Sequence, residues 1–417
     1  MATTLTDPAR SALRAGTGLA AILALFGCDK HNRECNVIER QIGTNDGFNV
    51  PGVAGAPTWG LPDESTEEPR VRRSWTSLTD DEKRTVLDGF MALKQVTVSS
   101  GDPGSERANY TSICDELDLE PYERNLYDYY VEAHMNAFLS MGTPYESMMS
   151  MSHMGPQFLP WHRYLLLRIE ADMAEVLGDP DFAMPYWDWE DCYENGKVGL
   201  CEAVFDEDLL GGPGSCEDEG KEAVGPLMDA GFRVHVTTDW DETAFKTKAI
   251  RCETRPLMRE VGCSELAPRP PSASEVAGIF DRLSYDDAPY DSCETEEDVS
   301  FRQYLEGYDN DDEDLTCVAV GCAMHSAGHI YAGGDMFHSS GSPNDPLFFL
   351  HHANVDRLWA AWQEANIARG ADEDYGNPDY PAEYRGSLFN FPDVRADELF
   401  DYEALGYRYD ALPTDGG

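Results

Sequence analysis

Ser342 to Gln363 reads SPNDPLFFLHHANVDRLWAAWQ, and the reading of this stretch decides the fold. Prolines and an aspartate punctuate its start, an apolar run follows, and the spacing predicts a helix over 352–368. On that helix His352 and Asp356 lie four residues apart and share a face. Further back, Met324 to His329 reads MHSAGH. On a helix predicted over 325–331, His325 and His329 project from one face a turn apart, as two ligands to one ion must. His352 supplies a natural third imidazole.

The first half of the chain repeats the arrangement. His134 sits inside a helical pattern spanning 120–141, His153 stands in SMSHMGPQF, and His162 opens the pattern of 161–177. The intervening loop lets one imidazole fold back toward the other, with His134 arriving from a facing helix. Two sets of three neutral imidazoles in a cage of Phe, Trp and Leu suit a borderline transition metal. The triplets hold no Asp or Glu, which argues against calcium, magnesium or a carboxylate-bridged di-iron centre. A catalytic zinc on three histidines fits either triplet alone and leaves the repetition unexplained.

These residues carry a resemblance. His153-x4-Phe158-Leu159-Pro160-Trp161-His162-Arg163, continued through Leu166 to Glu170, resembles the copper A signature of the tyrosinase family. Asp345-Pro346-Leu347-Phe348-Phe349, leading to His352 and Asp356, resembles its copper B signature. Pro185-Tyr186-Trp187-Asp188-Trp189, Gly333-Gly334-Asp335-Met336 and Tyr407-Arg408-Tyr409 extend the likeness, which covers about Arg72 to Tyr409. The resemblance implies a mainly α fold: an antiparallel four-helix bundle holding a type 3 dicopper centre, with long irregular loops pinned by disulfides. It also implies two copper ions as cofactor, O2 as co-substrate, and oxidation of phenols or o-diphenols (catechols) to o-quinones. The other reading it leaves open is a haemocyanin-like protein that binds oxygen reversibly.

Carried over residue by residue, the copper A ligands are His134, His153 and His162, and the copper B ligands are His325, His329 and His352. The family pattern uses the second histidine of a pair, and one helical step turns the side chain by about 100°, so His351 is read as packing beside the site. His31, His235 and His338 read as ordinary loop or surface residues. Asp356 and Glu170 either orient ligand imidazoles or form salt bridges inside the bundle. Two candidate catalytic positions depart from the pattern. Ser326 follows His325 where family members that hydroxylate monophenols commonly have Asn, and Glu306, of Leu305-Glu306-Gly307, is separated from His325 by an acidic insert over 308–322. Catechol oxidation is accordingly the more secure expectation. Met151 replaces the cysteine that forms a thioether bridge in some relatives, and with only eight residues after Tyr409 the reading expects no C-terminal shield over the pocket.

Composition sets the surroundings. Of 417 residues, 78 are Asp or Glu against 31 Lys or Arg, a net charge of −47, so polyphosphate is repelled and nucleic acid is a poor partner. The expected partner is a small phenolic molecule, and the oligomeric state stays open. The segments 151–169 and 324–330 contain no acid, so the charge forms a coat around a neutral core, from which salt tolerance and a preference for cationic over anionic phenols are expected. No apolar run approaches the ~20 residues that span a bilayer. Residues 1–27 resemble a secretory signal, which with 11 cysteines indicates a secreted protein. Lipoprotein anchoring at Cys28 is a minor alternative.

Residues 28–71 read as a lead-in rich in Cys, Gly, Pro and acid, 72–409 as the catalytic domain with copper A over 134–170 and copper B over 325–363, and 410–417 as a tail. A first helix is expected after Thr79, and the stretch 191–322 reads as loop and insertion. Cys28/Cys35, Cys192/Cys201, Cys252/Cys263 and Cys317/Cys322 are spaced to close small loops, although spacing does not fix connectivity, and the odd total of 11 leaves at least one thiol unpaired.

Overall fold

The computed structural model describes residues 68–98, 112–116, 124–139, 152–194, 197–198, 201, 203–217, 221–241, 246–288, 290, 299–307, 323–371 and 373–414. The signal and most of the lead-in, Met151, the insert over 308–322, and Cys28, Cys35, Cys293, Cys317 and Cys322 lie outside the described residues.

The first long helix, α1 (Asp80–Gln95), starts where Thr79 and Glu82 form a reciprocal capping box, with three acids in its first turn and Lys94 in its last. Its apolar stripe of Val86, Leu87, Phe90 and Leu93 is buried on α2 (Leu126–Leu139) and α3 (Phe158–Leu177). Helix α3 carries Pro160 in its first turn, where an N–H has no partner to lose, and stops at Gly178, whose φ of 66° only glycine adopts freely. The short α4 (Phe301–Glu306) and α5 (Met324–Ala332) pack together, and α6 (Leu347–Ala368) lies against α3 and α5. The expected helices are present with shifted ends. The second is shorter than 120–141, and α6 begins five residues before His352 because Asp345 accepts the Leu347 N–H at 3.0 Å and starts the helix early.

The ends of the domain are clasped by strand pairing. β1 (Arg70–Arg72) runs parallel to the strand Tyr407–Tyr409, Arg72 opposite Tyr409, and between them in sequence comes a hairpin of β2 (Val234–Asp241) and β3 (Lys246–Arg255). This hairpin corrects the expectation for 191–322, which is not all irregular: two antiparallel strands pair from Val234↔Arg255 to Asp241↔Lys246. The cysteine pairing is corrected too. Cys192–Cys201 closes a small loop as expected, but Cys252 is joined to Cys114 and Cys263 to Cys216. Extended backbone explains it: Cys252, opposite Val236, packs on a cluster of Ile113, Cys114, Met135 and Val236, whereas Cys263 lies beyond the strand's end. Among the described residues no helix is long and apolar enough to cross a membrane.

Candidate metal centre

Helices α2, α3, α5 and α6 bring the six histidines of the two triplets together, all buried. His134 comes from the middle of α2, His162 from the first turn of α3 and His153 from the turn before it, with ring centroids 4.8–5.5 Å apart. His325 and His329 come from α5 and His352 from α6. The triplets abut, for the His162 and His352 rings stack at 4.2 Å with Phe158 and Phe348 against them.

Hydrogen bonds at the far side of four of the six rings fix where the proton resides. A carbonyl only accepts, so Nδ1 must donate from His134 to Ser340 (3.0 Å), from His162 to Phe158 (2.8 Å), from His325 to Glu306 (3.2 Å) and from His329 to Met336 (2.9 Å). Each of these neutral rings then presents an Nε2 lone pair inward. The Nε2 atoms of His134 and His162 are buried with no hydrogen-bond partner, and His325 Nε2 lies 3.0 Å from His329 Nε2 and 3.3 Å from His352 Nε2. Protonation is no remedy, because burial pushes His134 down to about 3 and His329 to about 4, and holds the other four well below the usual imidazole range. Converging neutral lone pairs without a donor between them fit a soft or borderline cation, and the donor set contains no carboxylate.

His351 lies close enough to group with His325, His329 and His352. Its ring is turned differently, however: the Trp189 indole N–H donates to its Nδ1 at 3.1 Å.

Glu306 and Ser326 are both brought to the site. The backbone carbonyl of Glu306 accepts from Ser326 Oγ (2.8 Å) as well as from His325, so the two candidates meet although the insert separates them in sequence. The Glu306 carboxyl reaches across to the first triplet, accepting the N–H of Met154, the residue after His153, at 2.6 Å, and is held by Arg302 at 2.7 Å. Burial raises it to about 7, against the opposing pull of Arg302 and Met154. Ser326, His153, His325, His329, Ile330, Phe337 and Ser339 line a narrow cleft over the triplets.

Asp356 and Glu170 form salt bridges and do not touch the ligand rings. Asp356 accepts from Arg72 (2.8 Å), Arg163 (2.5 Å), Tyr407 (2.6 Å) and Tyr409 (2.5 Å), while Arg72 also makes a bidentate pair with Glu170. His235 is not the ordinary loop residue expected: it lies on β2, with Nδ1 2.7 Å from the buried Asp128 carboxylate. Sequence reasoning missed the carbonyls of Ser340 and Met336, which no side-chain motif can reveal, and Trp189, whose motif was noticed without a role. Gly328 was a legible signal: a Cβ there would fall 2.3 Å from His351 Cε1, so only glycine admits that ring between the histidines of α5.

Similarity to known proteins points the same way. The family model for the common central domain of tyrosinase matches residues 124–365. The tyrosinase of Streptomyces glaucescens is 29% identical over 334 residues, covering 80% of this chain and 97% of that protein. The tyrosinase of Streptomyces antibioticus is 30% identical over 296 residues, 70% of this chain and 82% of that one. The grixazone synthase of Streptomyces griseus is 32% identical over 272 residues, 64% and 82% of the respective chains. Among solved structures, a mutant polyphenol oxidase from Thermothelomyces thermophila shares the fold at a TM-score of 0.53 and 19% identity, with 98% of this chain and 99% of that one covered. A match over more than half the chain, laid on two histidine triplets whose lone pairs converge, makes this protein a tyrosinase-type oxidoreductase belonging to the tyrosinase family of type 3 copper proteins.

Proposed function

We propose that His134, His153 and His162 hold one copper ion and His325, His329 and His352 a second, and that the protein uses O2 to oxidise phenols, above all catechols, to o-quinones. The observation that carries this reading is the inward set of Nε2 lone pairs, fixed in four of the six rings by carbonyl acceptors behind them. When bound, the copper pair supplies the electrons that reduce dioxygen and the oxidising power toward the ring.

The chain's own residues do the rest. Phe158 and Phe348 exclude water from between the triplets, and Ile330 and Phe337 flank the narrow cleft by which a flat ring would approach them. Glu306, raised to about 7, is suited to exchange a proton near neutral pH, and Ser326 is the polar side chain beside it at the cleft. Catechol, the more acidic substrate, depends less on that help.

We further read α2, α3, α5 and α6 as the antiparallel four-helix bundle, residues 72–409 as the catalytic domain, and the protein as secreted. Three disulfides among the described residues support an oxidising compartment. The test is to load purified protein with copper and assay it with tyrosine, L-DOPA and simple catechols. Quinone formation from catechols is expected. Reversible oxygenation without quinone would overturn the enzyme reading in favour of an oxygen carrier.

A further inference from the structure

Four histidines crowd the second half of the centre, yet three suffice for a copper that must keep room for oxygen and substrate. His325, His329 and His352 each direct Nε2 at the others, while His351 stands at 5.2 Å from the His325 ring and 4.7 Å from the His329 ring, centroid to centroid. Distance alone does not exclude it.

The proton on its ring does. Tryptophan's indole N–H is only a donor, so the 3.1 Å contact from Trp189 obliges His351 Nδ1 to accept. An imidazole that accepts at one nitrogen is neutral and carries its hydrogen on the other. Its Nε2 therefore bears hydrogen and its one lone pair is already spent. That Nε2 is buried and meets no hydrogen-bond acceptor in the surrounding protein. In four of the six triplet rings the pattern is reversed: carbonyls behind His134, His162, His325 and His329 take the Nδ1 hydrogens and free Nε2.

The indole is held firmly in place. Trp189 begins a short helical turn capped by Asp188, whose side chain accepts the Glu190 N–H, and Cys192 at its end is tied to Cys201. The same segment is fastened to α6 on both sides of His351, by the Trp187 N–H to the Leu350 carbonyl at 2.9 Å and by the Asp188–Arg357 ion pair at 2.9 Å. On its other side the His351 ring fills the notch at Gly328.

We infer that Trp189 is a positioning residue which, by donating its indole N–H to His351 Nδ1, keeps the His351 lone pair away from copper B and so limits that site to three imidazoles. The inference rests on the dicopper reading. Loss of the indole donor frees His351 to move its hydrogen to Nδ1 and offer Nε2 as a fourth ligand.

The test uses the full chain with isotope-labelled histidine, whose long-range proton–nitrogen spectra distinguish the two tautomers, with His351 identified by the signals absent from His351→Gln. In wild-type protein, metal-free and loaded with Cu(I), His351 is expected to keep its hydrogen on Nε2. In Trp189→Phe loaded with Cu(I), the Nε2–H signal of His351 is expected to be lost. A wild-type His351 that carries hydrogen on Nδ1, or surrenders its Nε2 hydrogen to Cu(I), overturns the inference. So does Trp189→Phe with an unchanged His351. Should that variant fail to fold, the wild-type spectra decide alone. If instead the six triplet histidines do not respond to Cu(I), the dicopper reading fails while the Trp189–His351 tautomer is still read from the metal-free protein.

Discussion

His325 Nε2 faces His329 Nε2 at 3.0 Å, and neither has a hydrogen to give, since each ring has committed its Nδ1 hydrogen to a carbonyl, Glu306 and Met336 respectively. Two lone pairs at that range repel unless a cation lies between them. Metal should therefore stabilise the fold substantially. At free copper a thousandfold above the dissociation constant the linkage is worth about 4 kcal/mol per site. Thermal denaturation with copper and after chelation checks this, and equal midpoints would contradict it.

Asp356 lies one turn beyond His352 and joins α6 to α3 and to both clasping strands through Arg163, Arg72, Tyr407 and Tyr409. Burial alone would raise its carboxyl, but Arg163 and Arg72 outweigh that and hold it below the usual range. Asp356→Asn leaves buried guanidinium groups short of a counter-charge and should cost about 3–5 kcal/mol in denaturant unfolding. Because the folded pKa is lowered, the stabilisation is complete above the unfolded value of about 3.9 and is lost as pH falls through the folded value. The variant should accordingly show less loss of stability on acidification than wild type.

How legible the site was depended on what each contact is made of. Spacing at helical period exposed His325, His329 and His352, because side-chain identity and face are both written in sequence. The orientation of those rings was not legible, since it is set by the carbonyls of Glu306 and Met336, and every residue has a carbonyl. Helix α1 was marked by Thr79 and Glu82, local signals in a capping box. The hairpin was hidden because Val234 to Arg255 is dense in charge and Thr, and its pairing is fixed by nonlocal contacts such as Asn344 donating to the Val236 carbonyl at 2.7 Å. For the same reason Cys252 found Cys114, 138 residues away, and not its sequence neighbour Cys263.

That long-range bond yields its own prediction. Cys114–Cys252 tethers the hairpin, and the hairpin supports the turn that carries Ser340, through Thr238 to Ser340 Oγ at 3.2 Å. The Ser340 carbonyl in turn orients His134. The double variant Cys114→Ser/Cys252→Ser should lose about 2–4 kcal/mol of stability. Hydrogen exchange should accelerate first in the hairpin, and copper affinity should fall more at the His134 site than at the other. Uniform acceleration across the domain would contradict the local tether.

The acid coat invites the expectation of a strong preference for cationic phenols, but the wall next to the cleft is balanced. A wider groove that shares Ile330 and Phe337 with it bears Lys221, Arg251 and Arg255 alongside Glu253 and Glu260. Charges farther off are screened within about 8 Å at physiological salt. The kcat/KM values for dopamine and for the anionic 3,4-dihydroxyphenylpropionate should then lie within about tenfold, or 1.4 kcal/mol, of each other. A larger cationic preference that survives added salt would assign selectivity to groups nearer the centre.

Ser326 is the residue on which monophenol turnover should hinge. Its Oγ is spent on the Glu306 carbonyl at 2.8 Å and sits in the space left by the missing side chain of Gly307, where a Cβ would fall 2.7 Å from it. An asparagine there that turns into the cleft beside His325 and His153 places its amide where it can hold a water for the phenol proton. Ser326→Asn is thus expected to raise the ratio of monophenol to catechol turnover, by about tenfold or more given that positioned proton transfer is worth about 10²–10⁴. Glu306→Gln in the same background should reverse the gain while sparing catechol oxidation more. If Ser326→Asn keeps its catechol activity and the ratio does not move, the barrier to monophenols lies elsewhere than at this position.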